Sequence, residues 1–484
     1  MKRKVLISFL CIGLCASTIL NGCGTKNTAA DTTDNPATAG SSMSDSSTPD
    51  SQTGNSDTTS DTEAEPLSYP FEAFVSDTDR MIQEAVDQYN NEDHTPLAEP
   101  VKYNVLWLGF THVTYEELDF QMTDFDREYL EAVALNFEKS VEKITDHNLD
   151  ITVDLHFIDE PTVLTKQYDD DWLYLAKETV QPVIDQYTKG QEIDTVLTTV
   201  QTAGEENRTR NESKNGYGVN YVMLGLETND MSSDMGYSTF DLTEPKEGTY
   251  PLEDPEVPSL YATAVAVHEW MHQLEYMKTL LDIEYPNTHA YNGPSSFPGY
   301  QQYVADENDY DYFEFYKLVL KGELPYTSED TVKQVGMYPK MWPLVKRNIL
   351  NPGCFTIQSA DENGYLTGQA DDPTLTLSDN ACLWNIKYWG NGHFALSPAE
   401  LPDKLIDLSN AWDNEDNSIG LWVYTGYIDA QSWYLTENSD GSYSVKTPYE
   451  SGRLLTVNKG EGARLCTDGA DGTQKWIIKP YTAQ

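Results

Sequence analysis

The sequence is poor in cysteine, in basic residues and, beyond its N-terminus, in long apolar runs. Six cysteines in 484 residues do not make a disulfide scaffold, and Cys11 and Cys15 fall inside the N-terminal apolar stretch. Cys354, Cys382 and Cys466 together allow at most one internal bridge. Lysine and arginine total 31 against 79 Asp and Glu, a net charge of −48. That imbalance excludes nucleic acid as a partner, because phosphate binding needs clustered basic side chains. There is no Gly-rich phosphate loop, no G-x-S-x-G elbow and no paired-cysteine motif, so nucleotide, serine-hydrolase and thiol-redox chemistry have no sequence support. After Leu20 no apolar run is long enough to cross a bilayer. Aromatic residues, by contrast, are abundant: 31 Tyr, 14 Phe and 10 Trp within a hydrophobic fraction of 39%. That is enough to build sizeable cores in two or three domains.

The N-terminus carries Lys2, Arg3 and Lys4, then the apolar stretch Val5 to Leu20, the pattern of an export signal. It ends in Leu20-Asn21-Gly22-Cys23, which resembles the bacterial lipobox. The resemblance implies cleavage before Cys23 and lipidation of that residue. The chain is then expected to be exported and anchored by lipid alone to the outer face of the cell membrane. Residues 24–66 are Ser, Thr, Asp, Gly, Asn and Ala with almost nothing to bury, which predicts a disordered tether. The expected organisation is a signal at 1–23, a linker at 24–66, a mixed domain at 67–350 and an all-β domain at 351–484.

In the mixed domain, Tyr103 to Phe110 reads as a buried strand. Helical spacing of Leu130, Val133, Leu135, Phe137, Val141 and Ile144 follows over 124–145. Leu149 to Ile158 alternates as a strand, 171–187 suggests a helix, and Thr195 to Val200, Asn220 to Leu226 and Tyr237 to Leu242 suggest further strands. Pro258 and Ser259 precede a helix expected to run to about Leu281. Strands alternating with helices predict an α+β layer architecture.

That last helix contains Val267-His268-Glu269-Trp270-Met271-His272. Residues four apart share a helical face, so two imidazoles can aim at one point, with Glu269 beside them as a general base. A zinc ion suits such a site, since it lowers the pKa of water and polarises a carbonyl. The helix is apolar nearly all round, and three ionisable groups on a buried helix are costly unless they serve a purpose. The motif resembles that of the zincin metallopeptidases, over about residues 100 to 350. The resemblance implies a mixed sheet over the HExxH helix, with an edge strand, from 220–226 or 237–242, that binds substrate as an added strand. The metzincin positions for Gly and His hold Glu275 and Lys278, so that subfamily does not fit. The third ligand is left among His289, Glu284 and Glu307; His289 is favoured because zinc prefers imidazole and because a histidine in the loop after this helix is otherwise unexplained. Glu275, three residues past His272, is a candidate outer partner for a ligand's second N–H. Tyr291, Tyr300, Tyr303 and Tyr310 are candidates to stabilise an oxyanion. The Asp-rich stretches Asp169 to Asp171 and Asp306 to Asp311 offer Ca²⁺ as a second cation, although neither forms the regular loop.

Beyond residue 350 short strands are broken by Gly, Asn and Asp. Cys382-Leu383-Trp384, Gln431-Ser432-Trp433 and Gln474-Lys475-Trp476 recur at intervals of 49 and 43 residues, predicting a threefold β-structure with the tryptophans in a shared core. These Gln-x-Trp repeats resemble the ricin-type β-trefoil lectins. The resemblance implies one sugar site, in the middle repeat, from Asp407, Trp422, Tyr424 and Gln431, with Ala430 where that family often has Asn. Repeats one and three hold Thr367 and Thr456 at the Asp position, and the third holds Cys466 at the platform. The expected function is a surface zinc endopeptidase that hydrolyses proteins or glycoproteins and is targeted to glycans by its lectin module. The alternative is a glycan-binding adhesin with an inactive zincin domain.

Overall fold

The computed structural model describes residues 68–166, 172–188, 191–201, 218–219, 223–225, 237–242, 261–306, 309–310, 312–328, 331–362, 364–369, 372–401, 404–423 and 428–481. The expected lipidation site Cys23, the candidate ligand Glu307, the platform residue Tyr424 and Asp169 to Asp171 lie outside the described residues, as do the side chains of 306–311. The chain is mixed α/β up to about residue 350 and all-β beyond it.

The mixed part is organised by a five-stranded sheet in the order 223–225, 237–241, 195–200, 101–110, 149–158. All neighbours are parallel except 223–225, which runs antiparallel to 237–241. Strand Val101–Phe110 shows why the sheet is covered on both faces. Its side chains alternate, so Tyr103, Val105 and Trp107 enter one core while Leu106, Leu108 and Phe110 enter another. The first core lies under helices α2 (Asp124–Ile144) and α4 (Tyr261–His272), the second under α3 (Lys177–Thr188). Helix α2 starts where Thr123 accepts from the Asp126 N–H while the Asp126 carboxylate accepts from the Thr123 N–H at 2.6 Å, a capping box that satisfies two otherwise orphaned donors. The spacing of Leu130, Val133, Phe137, Val141 and Ile144 then gives it one buried face, whereas Leu135, counted with them in the sequence, falls off that face and is exposed.

The two edges of the sheet differ. Along 149–158, carboxylates one turn apart on α2 accept the outward backbone donors, Glu142 from Ile151 N–H at 3.0 Å and Glu138 from Val153 N–H at 3.3 Å. An exposed strand edge invites pairing with other chains, and these acidic side chains block it. Strand 223–225 forms the opposite edge among the described strands, beside 237–241, against which α4 packs.

Some boundaries differ from the sequence reading. The segment expected as a helix over 171–187 begins as the strand Trp172–Tyr174 before α3. The helix expected to reach Leu281 ends at His272. A turn held by three-residue backbone bonds, such as Glu275 N–H to His272 O at 3.3 Å, separates it from α5 (Met277–Leu281). Helix α1 (Phe71–Asn90) was not anticipated, although Phe71, Phe74, Met81, Ile82, Ala85 and Tyr89 mark an apolar stripe. In the C-terminal part, where no helix was expected, one turn of helix forms at Ile428–Gln431.

The all-β region closes on itself. Strands 353–359, 383–390, 393–398, 433–437, 443–446 and 476–480 pair antiparallel in that order, and the last returns to the first. Three hairpins cap this six-stranded barrel in a trefoil-like arrangement: 365–367 with 376–378, 404–408 with 417–423, and 454–456 with 464–466. Trp384, Trp433 and Trp476 sit buried at equivalent places. Trp384 Nε1–H donates to Leu366 O at 2.9 Å and Trp433 Nε1–H to Ile406 O at 3.1 Å. These matching bonds fix the alignment of the repeats, so Thr367 and Asp407 are counterparts.

The start of α1 is built into this barrel. Tyr69 N–H donates to Ile478 O at 2.9 Å, and Phe71 packs its ring against Phe355, Phe394 and Tyr443 at centroid distances of 5.3–5.4 Å. One hydrophobic cluster therefore runs from the sheet through α1 into the barrel, across the boundary expected at residue 350. Replacing Phe71 by alanine is expected to cost about 3–5 kcal/mol through the cavity left behind. In urea denaturation of the full chain, the loss should shift the unfolding of both parts together; a shift confined to one part would show that they are uncoupled.

Candidate functional site

Helix α4 presents its two histidines on one face and its anchors on the other. Trp270, between the two histidines, donates from Nε1 to Tyr103 Oη at 3.1 Å and stacks on Trp342 at 6.2 Å with rings nearly parallel. Gln273, one residue past the helix, donates to Val196 O at 3.2 Å and accepts from the Thr195 hydroxyl. With that side fixed to the sheet, His268 and His272 project away from it, and their Nε2 atoms stand 3.3 Å apart.

His289 joins them from the loop that returns after α5. Its ring centroid lies 5.1 Å from that of His268 and 4.8 Å from that of His272. One nitrogen from each of the three falls within 4.8 Å of the others, a group able to hold a metal ion. Burial pushes the His268 pKa well down, helped by its two neighbours, and burial lowers His289 to about 4. Both are therefore neutral near pH 7, the form in which imidazole offers a lone pair. Glu269 is only 1% exposed, with Oε1 3.9 Å from His268 Nε2. Its burial raises its pKa well above the carboxylate range, so it readily takes up a proton.

Glu275 ties this geometry together. Its Oε1 lies 3.1 Å from His272 Nδ1 and accepts from Thr288 N–H at 2.7 Å, while its Oε2 accepts from Asn287 Nδ2 at 3.1 Å. The Asn287 side chain in turn accepts from His289 N–H at 2.9 Å. A single carboxylate thus orients one helix ligand and seats the loop that brings the third. Glu284 takes no part in the cluster, because its Oε1 accepts from the Tyr300 hydroxyl at 2.8 Å. That bond also occupies Tyr300. Tyr303 packs on Phe315 at 5.6 Å, and the side chain of Tyr310 lies outside the described residues. Among those with described side chains, the fold brings Tyr291 to the histidines, 6.1 Å from His289 and 6.3 Å from His268 between centroids. Sequence reasoning missed Tyr316, whose hydroxyl is 2.5 Å from His268 Nδ1. It lies on α6 (Tyr312–Leu320), an apolar helix with no spacing rule linking it to the HExxH motif. Four of the remaining histidines are engaged elsewhere: His94 with Gln334, His112 with Asp119, His156 with Asp154, and His393 with Ser432 and Tyr434.

No family model matches this chain. No curated protein matches it either. Among solved structures it is similar to a designed threefold-symmetric protein, ThreeFoil, at 21% identity over 26% of this chain and 97% of that one, with a TM-score of 0.23. A cytolethal distending toxin from Actinobacillus actinomycetemcomitans matches at 18% identity over 28% and 94% of the two chains, TM-score 0.22. An exo-β-1,3-galactanase from Clostridium thermocellum matches at 14% over 26% and 30%, TM-score 0.24. Overlaps this partial leave fold and function to the chain's own geometry.

The three repeats of the β region are not equivalent at the positions singled out by sequence. In the middle repeat, hairpin register sets Leu405 opposite Trp422 and Asp407 opposite Gly420. Asp407 and Trp422 are therefore diagonal neighbours on one face. Trp422 is 56% exposed, Asp407 is partly exposed, and the buried Gln431 reaches both Asp407 and Val423 O. In the third repeat Gln474 donates to Thr456 Oγ1 at 2.9 Å and to Thr467 O at 2.8 Å, and Cys466 is buried. That arrangement is closed. In the first, Cys382 lies against backbone, 3.7 Å from Leu383 O.

Burial pushes the Asp407 pKa up to about 6 against the opposing hydrogen bond from Gln431. The folded protein therefore keeps a proton that the unfolded chain releases near pH 4, and stability falls as pH rises from about 4 to 6. Denaturation midpoints of wild type and Asp407→Asn across that window should diverge, with the variant losing this part of the slope. Parallel curves would show that Asp407 titrates normally.

Proposed function

We propose that the chain is a zinc-dependent endopeptidase held outside the cell, acting on proteins or glycoproteins, with its C-terminal β region serving as a glycan-binding module. The observation that carries this reading is the meeting of three imidazoles from a helix and a loop, with the buried carboxylate of Glu269 beside them. Tetrahedral zinc with bonds of about 2.0–2.1 Å sets its nitrogen donors about 3.3–3.4 Å apart, and the 3.3 Å between the Nε2 atoms of His268 and His272 suits that spacing. The carboxylate behind His272 supports it further, since metal-bound imidazoles pass their second N–H to such partners.

Zinc bound there would supply Lewis acidity and lower the pKa of water near Glu269. Glu269 takes a proton from that water as general base and returns it to the leaving amine, a role suited to a carboxyl whose burial favours the protonated form. Tyr291, whose ring lies beside those of His268 and His289, is our candidate to donate a hydrogen bond to the carbonyl oxygen as it gains charge. The strand 223–225, an edge among the described strands, suits an extended peptide added as a further strand, whereas Glu138 and Glu142 block the other edge. This arrangement resembles that of the zincins.

For the β region we read a ricin-type trefoil with one sugar site, in the middle repeat. The exposed face of Trp422 offers a stacking platform, and Asp407, oriented by Gln431, accepts from sugar hydroxyls. The closed third repeat leaves no comparable place. Lipid anchoring at Cys23 completes the proposal.

Glu269→Gln is expected to retain one zinc per chain while peptide hydrolysis falls by about 10²–10⁴-fold. His289→Ala should lower both metal content and activity. Elemental analysis together with cleavage of a glycosylated and an unglycosylated protein checks this. If wild type and Glu269→Gln are equally inert on both while wild type binds glycans, the chain is an adhesin with an inactive metal domain.

A further inference from the structure

The two helix ligands have outer partners of different chemistry. His272 meets the Glu275 carboxylate, whereas His268 meets a phenol, with the Tyr316 hydroxyl 2.5 Å from Nδ1. We propose that Tyr316 is a positioning residue that holds the His268 ring, by accepting its Nδ1–H, with Nε2 aimed into the three-histidine centre. The proposal rests on the metal-centre reading above and adds a residue to it.

Three observations carry the assignment. His268 turns Nε2 toward His272 Nε2 at 3.3 Å and Nδ1 toward Tyr316, so the two ring nitrogens face opposite tasks. The Tyr316 ring is 1% exposed and wedged among Phe313, Phe315 and Tyr291 at centroid distances of 6.0–6.3 Å. The hydroxyl therefore cannot swing away, and its position is set by packing rather than by His268. Helix α6, which carries it, is separate from both the HExxH helix and the His289 loop, so Tyr316 fixes His268 from a third direction.

The chemistry of a phenol then decides what this contact does. A neutral imidazole that binds metal through Nε2 must carry its proton on Nδ1, and that N–H needs an acceptor when buried. Glu275 can only accept and so commits His272 to the Nδ1–H tautomer whether or not metal is present. A phenol oxygen accepts or donates. It receives Nδ1–H when Nε2 binds metal, and donates to a bare Nδ1 when Nε2 instead carries the proton toward His272. A phenol is also a weaker acceptor than a carboxylate, so His268 stays less electron-rich than His272 and withdraws less of the metal's acidity.

The test uses the full chain as wild type, Tyr316→Phe and, as a control hydroxyl deletion, Tyr338→Phe, whose hydroxyl donates instead to Gln334 O at 3.2 Å. Zinc affinity is read by competition with a chromogenic chelator, and ligand geometry by the visible absorption of the Co²⁺-substituted protein. Tyr316→Phe should bind zinc about 10-fold or more weakly, within the 10–100-fold range for outer-partner losses, with altered Co²⁺ bands; Tyr338→Phe should match wild type. Unchanged affinity and bands in Tyr316→Phe overturn the proposal. If that variant fails to fold, NMR of zinc-loaded wild type decides: a His268 Nδ1–H shifted downfield and protected from exchange by a hydrogen bond supports the assignment, and an Nδ1–H without those signs, or a proton on Nε2, overturns it. A wild type that binds no zinc removes the metal-centre reading itself, a result distinct from an unaffected variant.

Discussion

The candidate site depends on the hydrogen bonds of one carboxylate. Glu275 stands in the turn after the HExxH helix, where three-residue backbone bonds rotate it toward His272. From there it receives the backbone of Thr288 and the side chain of Asn287, so the loop bearing His289 is seated against the helix bearing the other two histidines. Burial alone would raise its pKa, yet its hydrogen bonds and the neighbouring His272 hold it below the ordinary carboxylate value. A charged acceptor in a partly buried setting makes strong, directional bonds. The continuous helix expected from sequence would have placed residue 275 on the ligand face without the turn that lets it reach the loop.

A second constraint is mechanical. The face of the HExxH helix opposite the ligands is fixed by Trp270 against Tyr103 and Trp342 and by Gln273 against Val196. Trp342 belongs to the segment leading into the β region, and α1 connects the same core to the barrel through Phe71. The β region is therefore packed as part of the body that holds the three-histidine cluster.

Much of the architecture was legible in the residues because it follows short periodicities. The alternation in 101–110 and 149–158, the spacing of apolar residues in 124–144 and the recurrence of Trp384, Trp433 and Trp476 each reflect one element or one repeat. Helix α1 escaped notice because, although it carries an apolar stripe, it sits in a strongly polar stretch with Asp77, Asp79, Arg80 and Gln83 on its other side, and the partners that bury the stripe lie about two hundred residues away or further. The strand at 172–174 was absorbed into the helix that follows it. Both errors have the same source: local pattern cannot register an element whose form is settled by distant packing.

The sequence by itself determined the pair His268 and His272 with Glu269, because four-residue spacing on a helix places side chains on one face regardless of what surrounds it. It likewise determined which repeat keeps an acidic residue before its tryptophan. Which of His289, Glu284 and the tyrosines with described side chains come near that pair depends on the tertiary fold. His289 is carried to the cluster by a loop seated on Glu275, Glu284 is held by Tyr300, and Tyr316 arrives from a helix with no sequence link to the motif. The reason is physical: contacts within a helix are fixed by its pitch, whereas contacts between a helix, a returning loop and a later helix depend on how the whole core closes.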